Sequence, residues 1–390
     1  MKKSQATMAV FVLMNFVLSM TGVVFTGILD QVALQLQMSV AKTSLLNSMY
    51  SYGAAIGLPI TLIVLRKIER VRLMKAMLAA TMITSILLII TRDFTQLLII
   101  RVLMGIVANS YGVLAIVVFM AQSSQQRAGR NLALFIMGNS LSLVIGVPLT
   151  RLLSPVLDWR GFFLVLSALM AFSLVYFHLN LPKVYARDTE LNLQSEFALL
   201  RKRRIALLLL FALIMYAGHG AFYNFITPYL LDLSNTLSPY MSLILLLLGL
   251  SSLFGNWLGG QVTDRIGYAD TMKLGASMQF TLVLLLLLTR AYPVFNAALV
   301  IVYMMSTWFT GLQLNLGMNL ETENKSRFMM SMVSVAIQLG YSIGTSLSYA
   351  VAQAFSVRNI LHITLITTCT ITLLVWAQQK KPRGLANPQG

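Results

Sequence analysis

Aromatic and titratable side chains recur at helical spacing around residue 219, inside a long apolar run. Tyr216 lies three positions before His219, Tyr223 lies four positions after it, and Asn224 follows directly. Spacings of three and four place side chains on one helix face. Because histidine titrates near neutral pH and relays protons, this stripe predicts a substrate-binding or proton-coupling site. The alternative is a neutral histidine hydrogen-bonded to a neighbouring helix, with the tyrosine rings packed against that helix.

Arg101 is a second distinctive residue, because it lies a few positions inside another apolar run. If that run spans a membrane, a charge at its centre costs at least about 2.5–3.5 kcal/mol. An arginine near the membrane surface avoids this cost by snorkelling, with its guanidinium in the headgroup region. Arg101 is therefore either a functional residue or a snorkelling structural residue.

Further polar residues are scattered singly through apolar runs and are candidates to line a cavity. Each of them could instead make one interhelical hydrogen bond, a contact worth about 0.6–2 kcal/mol in membranes. These candidates are Asn15, Thr21, Asn109, Trp308, Gln338 and Tyr341.

The composition indicates which elements carry these residues. Of the 390 residues, 57% are hydrophobic and 11% are charged, whereas about 25% are charged in a typical soluble domain. A chain with so few charged residues cannot cover a water-facing surface with polar side chains. This composition is typical of a protein in a lipid bilayer. The single cysteine, Cys369, permits no disulfide within the chain. No phosphate-cradling loop ending in Lys-Ser/Thr is present, and we expect neither enzyme activity nor a metal or cofactor.

Apolar runs of about 20 residues, the length of a membrane-spanning helix, occur 12 times. The predicted fold is an all-α membrane protein with 12 transmembrane helices. The first run follows two lysines as in a signal peptide, but it is too long for one, so we expect it to remain as span 1. The runs fall near 8–29, 43–65, 73–91, 96–121, 131–154, 161–181, 205–231, 239–262, 273–289, 294–318, 328–354 and 360–378.

Basic residues between the spans predict the orientation. With the N-terminus placed in the cytoplasm, 22 of the 29 Lys and Arg residues fall on the inner side. Because Lys and Arg concentrate in cytoplasmic loops, both termini are expected in the cytoplasm. The net charge of +17 therefore reflects membrane orientation, and we expect no nucleic-acid partner.

A charged stretch divides the 12 spans into two sets. We expect an N-terminal six-helix bundle at 1–182, a cytoplasmic linker with one amphipathic helix at 183–204, a C-terminal bundle at 205–379 and a cytoplasmic tail at 380–390. Parallel six-span repeats are typical of secondary transporters, whose substrate path lies between the halves. An offset of 198 residues aligns Gly22 with Gly220, Gly57 with Gly255 and Gly146 with Gly344.

The most specific motif is Gly260-Gln-Val-Thr-Asp264-Arg265-Ile-Gly267, between spans 8 and 9. Gly260 would let a neighbouring helix approach closely. Asp264 would cap a helix or pair with a basic residue, and Gly267 would permit a tight turn.

Span 5 carries Gly138, Gly146 and Pro148. Glycine allows close packing, and proline removes one backbone hydrogen bond. This helix is therefore expected to bend, either as a static kink or as part of a moving gate.

The loop motif resembles the signature of the major facilitator superfamily. Arg101-Val-Leu-Met-Gly105 is similar to the arginine motif of that family, the span 5 glycines and proline resemble its exporter motif, and Asp158–Phe163 resembles the start of its span 6. The likeness extends over residues 8–378 and favours the drug:proton antiporter branch, of the arabinose-efflux type. It implies a cavity lined by spans 1, 4, 7 and 10, with spans 2, 5, 8 and 11 at the gating seams. It also implies a cavity-facing Arg101.

Two features depart from the pattern of that branch. Leu62 and Arg66 stand where the first copy of the loop motif has glycine and aspartate. Arg66 and Arg70 therefore remain candidates for the inner gate, but their ion-pair partners are expected to differ from those in the family. Exporters of the branch often carry an acidic residue in span 1, where this chain has Thr21 and Gly22. The usual carboxylate for proton coupling is absent.

The resemblance implies a monomeric secondary transporter of the bacterial inner membrane. It would export a sugar, nucleoside or amphipathic drug, with a proton as the counter-ion. An uncoupled facilitator or importer is the main alternative, and the missing carboxylate favours it. A lipid flippase and a non-transporting receptor are further alternatives, although the short cytoplasmic segments argue against a receptor.

Overall fold

The computed structural model describes residues 2–63, 68–121, 128–181, 193–323 and 326–377, and these residues form helices and short connections without a strand. Eleven of the helices are long and apolar enough to cross a membrane. Span 2 supplies the twelfth, because its 24 residues extend about 36 Å, more than the roughly 30 Å of a hydrocarbon core. The predicted fold of 12 transmembrane helices in two six-helix bundles is confirmed.

The first six spans follow the predicted order, and span 5 is interrupted by a π-helical turn. We call the end of the molecule that carries the span 1–span 2 turn the outer end and the opposite end the inner end, following the predicted orientation. The spans are Lys2–Gln35, Val40–Ile63, Arg70–Ile90, Phe94–Ala121, Ala128–Leu141 with Ser142–Gly146 and Val147–Leu153, and Trp159–Asn180.

The second six spans repeat this arrangement, and span 7 is broken near its outer end. Short 3₁₀ helices at Asn235–Tyr240 and Val357–Asn359 connect spans at the outer end, and the helix Leu193–Leu199 lies in the predicted linker. The spans are Arg203–Tyr223 with Ile226–Leu233, Met241–Ile266, Tyr268–Leu288, Pro293–Glu321, Arg327–Ala354 and Ile360–Ala377.

Span 2 carries several polar residues, and its position explains why. It packs between span 4 of its own half and span 11 of the other half. Asn47, Ser48 and Ser51 are buried in these contacts. A helix shielded from lipid on both sides tolerates polar residues that a lipid-facing helix cannot.

Glycines set the distances between helices within each half. A Cβ atom on Gly57 would lie 2.5 Å from the carbonyl oxygen of Ile106 in span 4. A Cβ atom on Gly255, its partner at the 198-residue offset, would clash in the same way with Met305 in span 10. Because spans 2 and 4 correspond to spans 8 and 10, the two glycines occupy equivalent helix contacts, which supports the predicted repeat.

Span 5 bends where its glycines and proline predict. The backbone N–H of Val147 donates to Ser142, five residues earlier, and this closes the π-helical turn. Pro148 follows in the first turn of the next helical piece. Gly138 and Gly146 both face span 1, where added Cβ atoms would clash with Val12 and Met20.

Two ion pairs brace the outer ends of the bundles. Arg151 of span 5 donates to Asp30 of span 1 at 2.6 Å, and Arg358 donates to Asp232 of span 7 at 2.6 Å. Each pair lies within one half. Asp30 and Asp232 are therefore structural partners of arginine.

The first prediction concerns Gly344 of span 11. A Cβ atom there would overlap the backbone carbonyl of Ala217 in span 7, so Gly344→Ala must push the two helices apart. Overpacking of this kind costs about 1–3 kcal/mol. We expect a lower thermal unfolding midpoint for Gly344→Ala in detergent. Gly112→Ala is the matched control, because no atom lies within 4 Å of its added Cβ. Equal midpoints for the two variants would contradict the assigned contact.

Candidate functional site

The predicted stripe of span 7 forms a cluster of rings. The His219 imidazole stacks on Tyr223 with ring centroids 5.0 Å apart and an interplanar angle of 20°. Tyr216 meets it edge-on at 5.6 Å, and Tyr341 of span 11 lies at 6.0 Å. The structure therefore brings all three predicted span 7 residues together with a fourth predicted residue. We call Tyr216, His219, Tyr223 and Tyr341 the aromatic cluster.

His219 lies deep in the membrane and is 5% exposed. It follows the start of span 7 by 16 residues, about 24 Å along the helix. Its Nδ1 atom is buried and has no hydrogen-bond partner among the described residues. A buried polar atom without a partner is costly, so this nitrogen is positioned to bind a proton, a water molecule or a substrate group.

Asn224 joins the two halves of the protein. It is fully buried, and its Oδ1 accepts a hydrogen bond from Asn47 of span 2 at 2.7 Å. The same oxygen accepts from the Tyr341 hydroxyl at 3.0 Å. Its Nδ2 donates to Thr345 of span 11 at 2.7 Å. Asn224 is thus an interhelical connector, and we call Asn47, Asn224, Tyr341 and Thr345 the polar layer.

The halves contact each other mainly in their outer parts. Tyr52 of span 2 lies 3.4 Å from Ser346 of span 11, hydroxyl to hydroxyl. The π-helical turn of span 5 fits against Gly249 of span 8, where an added Cβ would lie 2.8 Å from the Leu143 carbonyl oxygen. By contrast, the inner piece of span 5, Ala128–Leu141, packs on spans 1 and 4 of its own half. This arrangement closes the outer end, and the aromatic cluster begins just inward of the closure.

Arg101 is fully buried between spans 1, 2 and 4, so the snorkelling alternative is wrong. Its Nε donates to the carbonyl oxygen of Leu46 at 2.9 Å, and its Nη1 donates to that of Thr21 at 2.6 Å. The guanidinium lies over the rings of Phe25 and Tyr50, at 5.0 and 4.6 Å from their centroids. Carbonyl oxygens and aromatic faces thus replace a carboxylate as its partners.

The remaining candidates divide between connectors and partly exposed residues. Asn15 donates to the Phe135 carbonyl of span 5 at 2.6 Å, and buried Thr21 lies 3.4 Å from the Tyr50 hydroxyl. Asn109 donates to that hydroxyl at 3.5 Å. Trp308 and Gln338 are partly exposed, with no hydrogen bond from either side chain within the described part of the chain.

Sequence reasoning missed Asn47, Tyr50 and Thr345. Asn47 lies among several polar residues of span 2, and that grouping was the available signal. Thr345 and Tyr341 are four residues apart and face the same neighbour, as helical spacing requires. Single polar residues in apolar spans gave no means of identifying which of them pair across the halves.

The loop motif between spans 8 and 9 differs in part from expectation. Gly267 has φ of +79° and ends span 8 in the turn that only glycine readily adopts. The close approach predicted at Gly260 is wrong, because an added Cβ would meet only Leu312, at an ordinary 3.8 Å. Gly255 and Gly259, earlier in the helix, make the close contacts with span 10.

Asp264 and Arg265 are exposed at the inner end of span 8. Among the residues that the structure describes, Asp264 has no ion pair and caps no helix, so its predicted pairing is not made in this conformation. Arg70 is the first residue of span 3, and Arg66 lies outside the described residues. The described His, Cys, Asp and Glu residues include no group of three that could hold a metal ion.

Comparison with known proteins places this architecture in a family. The model of the Major Facilitator Superfamily matches residues 11–326. The "Uncharacterized MFS-type transporter YbcL" of Bacillus subtilis (strain 168) is 26% identical over 90% of this chain and 90% of its own length. The "Probable sugar efflux transporter" of Helicobacter acinonychis (strain Sheeba) is 25% identical, covering 67% of this chain and 68% of its own.

A further relative and the solved structures agree with this placement. The "Inner membrane transport protein YdhP" of Escherichia coli (strain K12) is 24% identical, covering 68% of this chain and 67% of its own. The crystal structure of the nucleoside transporter NupG superposes with a TM-score of 0.72 at 15% identity, covering 95% of this chain and 98% of NupG. The chain is a multi-pass integral membrane protein and belongs to the major facilitator superfamily.

Proposed function

We propose that this transporter exports a small polar organic molecule by alternating access and proton antiport. The observation that carries the proposal is the position of Tyr216, His219 and Tyr223, directly inward of the polar layer that joins the halves and that includes Tyr341. A substrate that enters from the inner end would meet Tyr216, His219 and Tyr223 first. It would reach the outer side only after the polar layer opens.

The chemistry of the site favours a ring-shaped substrate with hydroxyl groups, such as a sugar or nucleoside. Tyrosine and histidine rings stack on flat faces, and their polar atoms bond to hydroxyls. The relatives named for sugar efflux and the fold shared with a nucleoside transporter point the same way. An amphipathic drug would use the same rings but would leave more of the hydrogen-bonding groups without partners.

His219 supports the proton-coupling part of the proposal. Every described Asp and Glu residue lies within about one and a half turns of a helix end or between helices. At the 198-residue offset, His219 corresponds to Thr21, and Thr21 or its neighbour Gly22 stands where exporters that this chain resembles often carry an acid. The histidine therefore supplies a titratable group in the second half, at the position where the first half has a threonine.

An uncoupled facilitator is the second candidate function, and it is favoured by the lack of an acidic residue deep in any described span. A histidine that remains neutral would leave the central region without a group that cycles between charged and neutral forms. Transport would then follow the substrate gradient alone. A lipid flippase and a receptor remain weaker alternatives, because neither needs a titratable aromatic cluster.

The second prediction tests coupling at His219. We expect purified protein in proteoliposomes to accumulate labelled sugars or nucleosides when a pH gradient is imposed. His219→Gln keeps a hydrogen-bonding side chain but cannot titrate, so gradient-driven accumulation should fall at least about tenfold, toward equilibration. The measurement is uptake of a panel of sugars, nucleosides and drugs with and without the gradient.

The control for this experiment is His362→Gln, because His362 is exposed at the outer end of span 12. Its accumulation should match that of the unmodified protein. Full gradient-driven accumulation by His219→Gln would remove His219 from the coupling mechanism. Equilibration that ignores the gradient in the unmodified protein would favour the facilitator.

The third prediction tests the polar layer as the outer gate. Asn47→Leu deletes the hydrogen bond to Asn224 between the halves, a contact worth about 0.6–2 kcal/mol. The ratio of outer-open to outer-closed protein should therefore rise about 3- to 30-fold. A cysteine at Ser346 in a Cys369→Ser background reports opening through its labelling rate with a membrane-impermeant maleimide.

Thr61→Val is the matched control for the gate. Thr61 also lies in span 2 and donates to Ser110 at 2.6 Å, but both residues belong to the first half. Its loss should leave the labelling rate at Ser346→Cys unchanged. If both variants accelerate labelling equally, the polar layer is not a gate and only general loosening is being measured.

The fourth prediction concerns the inner end. We infer that Asp264 finds its partner when the inner end closes, since it has none among the described residues in the outer-closed form. Asp264→Ala should then raise the inner-open population, seen as faster labelling of Asn139→Cys, an exposed position in the inner piece of span 5. Asp270→Ala is the control, because Asp270 already pairs with Lys273 at 2.7 Å. Unchanged labelling in Asp264→Ala would exclude the latch.

A further inference from the structure

A cleft of about 480 Å³ opens at the inner end of the first half, between spans 3 and 6. Arg72 and Lys75 enter it from the first turns of span 3, and His178 enters from the last turn of span 6. Leu174 and Leu181 form its apolar wall. The cleft is remote from the aromatic cluster and has no part in the proposed transport path.

The charges that face this cleft are predominantly positive. Glu69 is the acidic residue in its wall, and both carboxylate oxygens are used to cap span 3. They accept from the backbone N–H groups of Val71 at 2.8 Å and Arg72 at 2.7 Å. The side chains of Arg72 and Lys75 have no acidic partner among the described residues. Two cations from one helix and a histidine from another therefore converge on an open space.

The second half provides an internal comparison, because the 198-residue offset gives each cleft residue a counterpart. Lys75 corresponds to Lys273, but Arg72 corresponds to Asp270 and His178 corresponds to Trp376.

The counterpart residues in the second half interact with one another. Lys273 pairs with Asp270 at 2.7 Å and lies over the Trp376 ring at 5.9 Å from its centroid. Trp376 donates its indole N–H to Ser277 at 3.1 Å. In the second half, the positive charge of Lys273 is thus neutralised by Asp270 of the same helix. The first half leaves two positive charges there for an external anion.

We propose that this cleft binds the phosphate headgroup of an anionic phospholipid of the bilayer. Arg72 and Lys75 would hold the phosphate, since basic pockets between transmembrane helices at the membrane surface recognise such headgroups. Val175 and Leu179 continue from the cleft along span 6 and are 60% and 73% exposed. These side chains provide the apolar surface along which the acyl chains lie, so a lipid matches the site better than a free anion.

The test is lipid retention by the full chain, measured by native mass spectrometry after purification in the presence of phosphatidylglycerol or phosphatidylcholine. Each basic residue near an anionic lipid contributes about 1 kcal/mol, or about fivefold. We therefore expect Arg72→Gln/Lys75→Gln to lower phosphatidylglycerol retention by about 25-fold, with phosphatidylcholine unaffected. The single variant Arg72→Gln changes an exposed side chain and should show the first fivefold step if the double variant folds poorly.

The matched control is Arg265→Gln/Lys273→Gln, which removes two positive charges at the inner end of spans 8 and 9. Its retention of phosphatidylglycerol should equal that of the unmodified protein. Equal losses in the two double variants would overturn the proposal, since only general charge attraction would be acting. Unchanged retention in Arg72→Gln and in the double variant would also overturn it. Displacement of the lipid by millimolar inorganic phosphate would identify a free-anion site instead.

Discussion

In a hydrocarbon environment no water is available to a polar group, so a buried donor or acceptor without a partner in the protein is costly. Arg101 shows the constraint most directly. Its guanidinium has no carboxylate among its described partners and is held by carbonyl oxygens of spans 1 and 2 and by two aromatic faces. Because an unpartnered charge there would be costly, these contacts hold spans 1, 2 and 4 together around Arg101.

Glycine-mediated backbone contacts are numerous within each half, and one of them, at Gly249, also lies between the halves. Within a half, glycines such as Gly57 and Gly344 bring backbones into direct contact, and no side chain can be added without moving a helix. Between the halves, the outer closure includes single hydrogen bonds such as the one from Asn47 to Asn224. Bonds of that kind are worth about 0.6–2 kcal/mol each. Alternating access requires halves that stay packed while the contacts between them break.

The two halves share one architecture, but they carry different polar and charged side chains at equivalent positions. Thr21 and His219 occupy equivalent positions, yet one supplies a carbonyl to an arginine and the other is a buried titratable ring. At the inner end, Lys273 pairs with Asp270 and lies over the Trp376 ring, whereas its counterpart Lys75 faces the cleft. Duplicated backbone geometry thus supports different side-chain functions, since packing constrains the glycines more than the polar positions.

The sequence by itself determined the number and order of the spans, the turn at Gly267, the bend in span 5 and the shared face of Tyr216, His219 and Tyr223. These features follow from local rules, namely the length of apolar runs, backbone freedom and helical spacing. Only the tertiary structure decided that Arg101 is buried, that Asn224 pairs with Asn47, and that Gly259 rather than Gly260 contacts span 10. Each of those outcomes depends on which distant helix lies opposite a residue. Sequence spacing gives the direction of a side chain along its own helix, but it does not identify the neighbour.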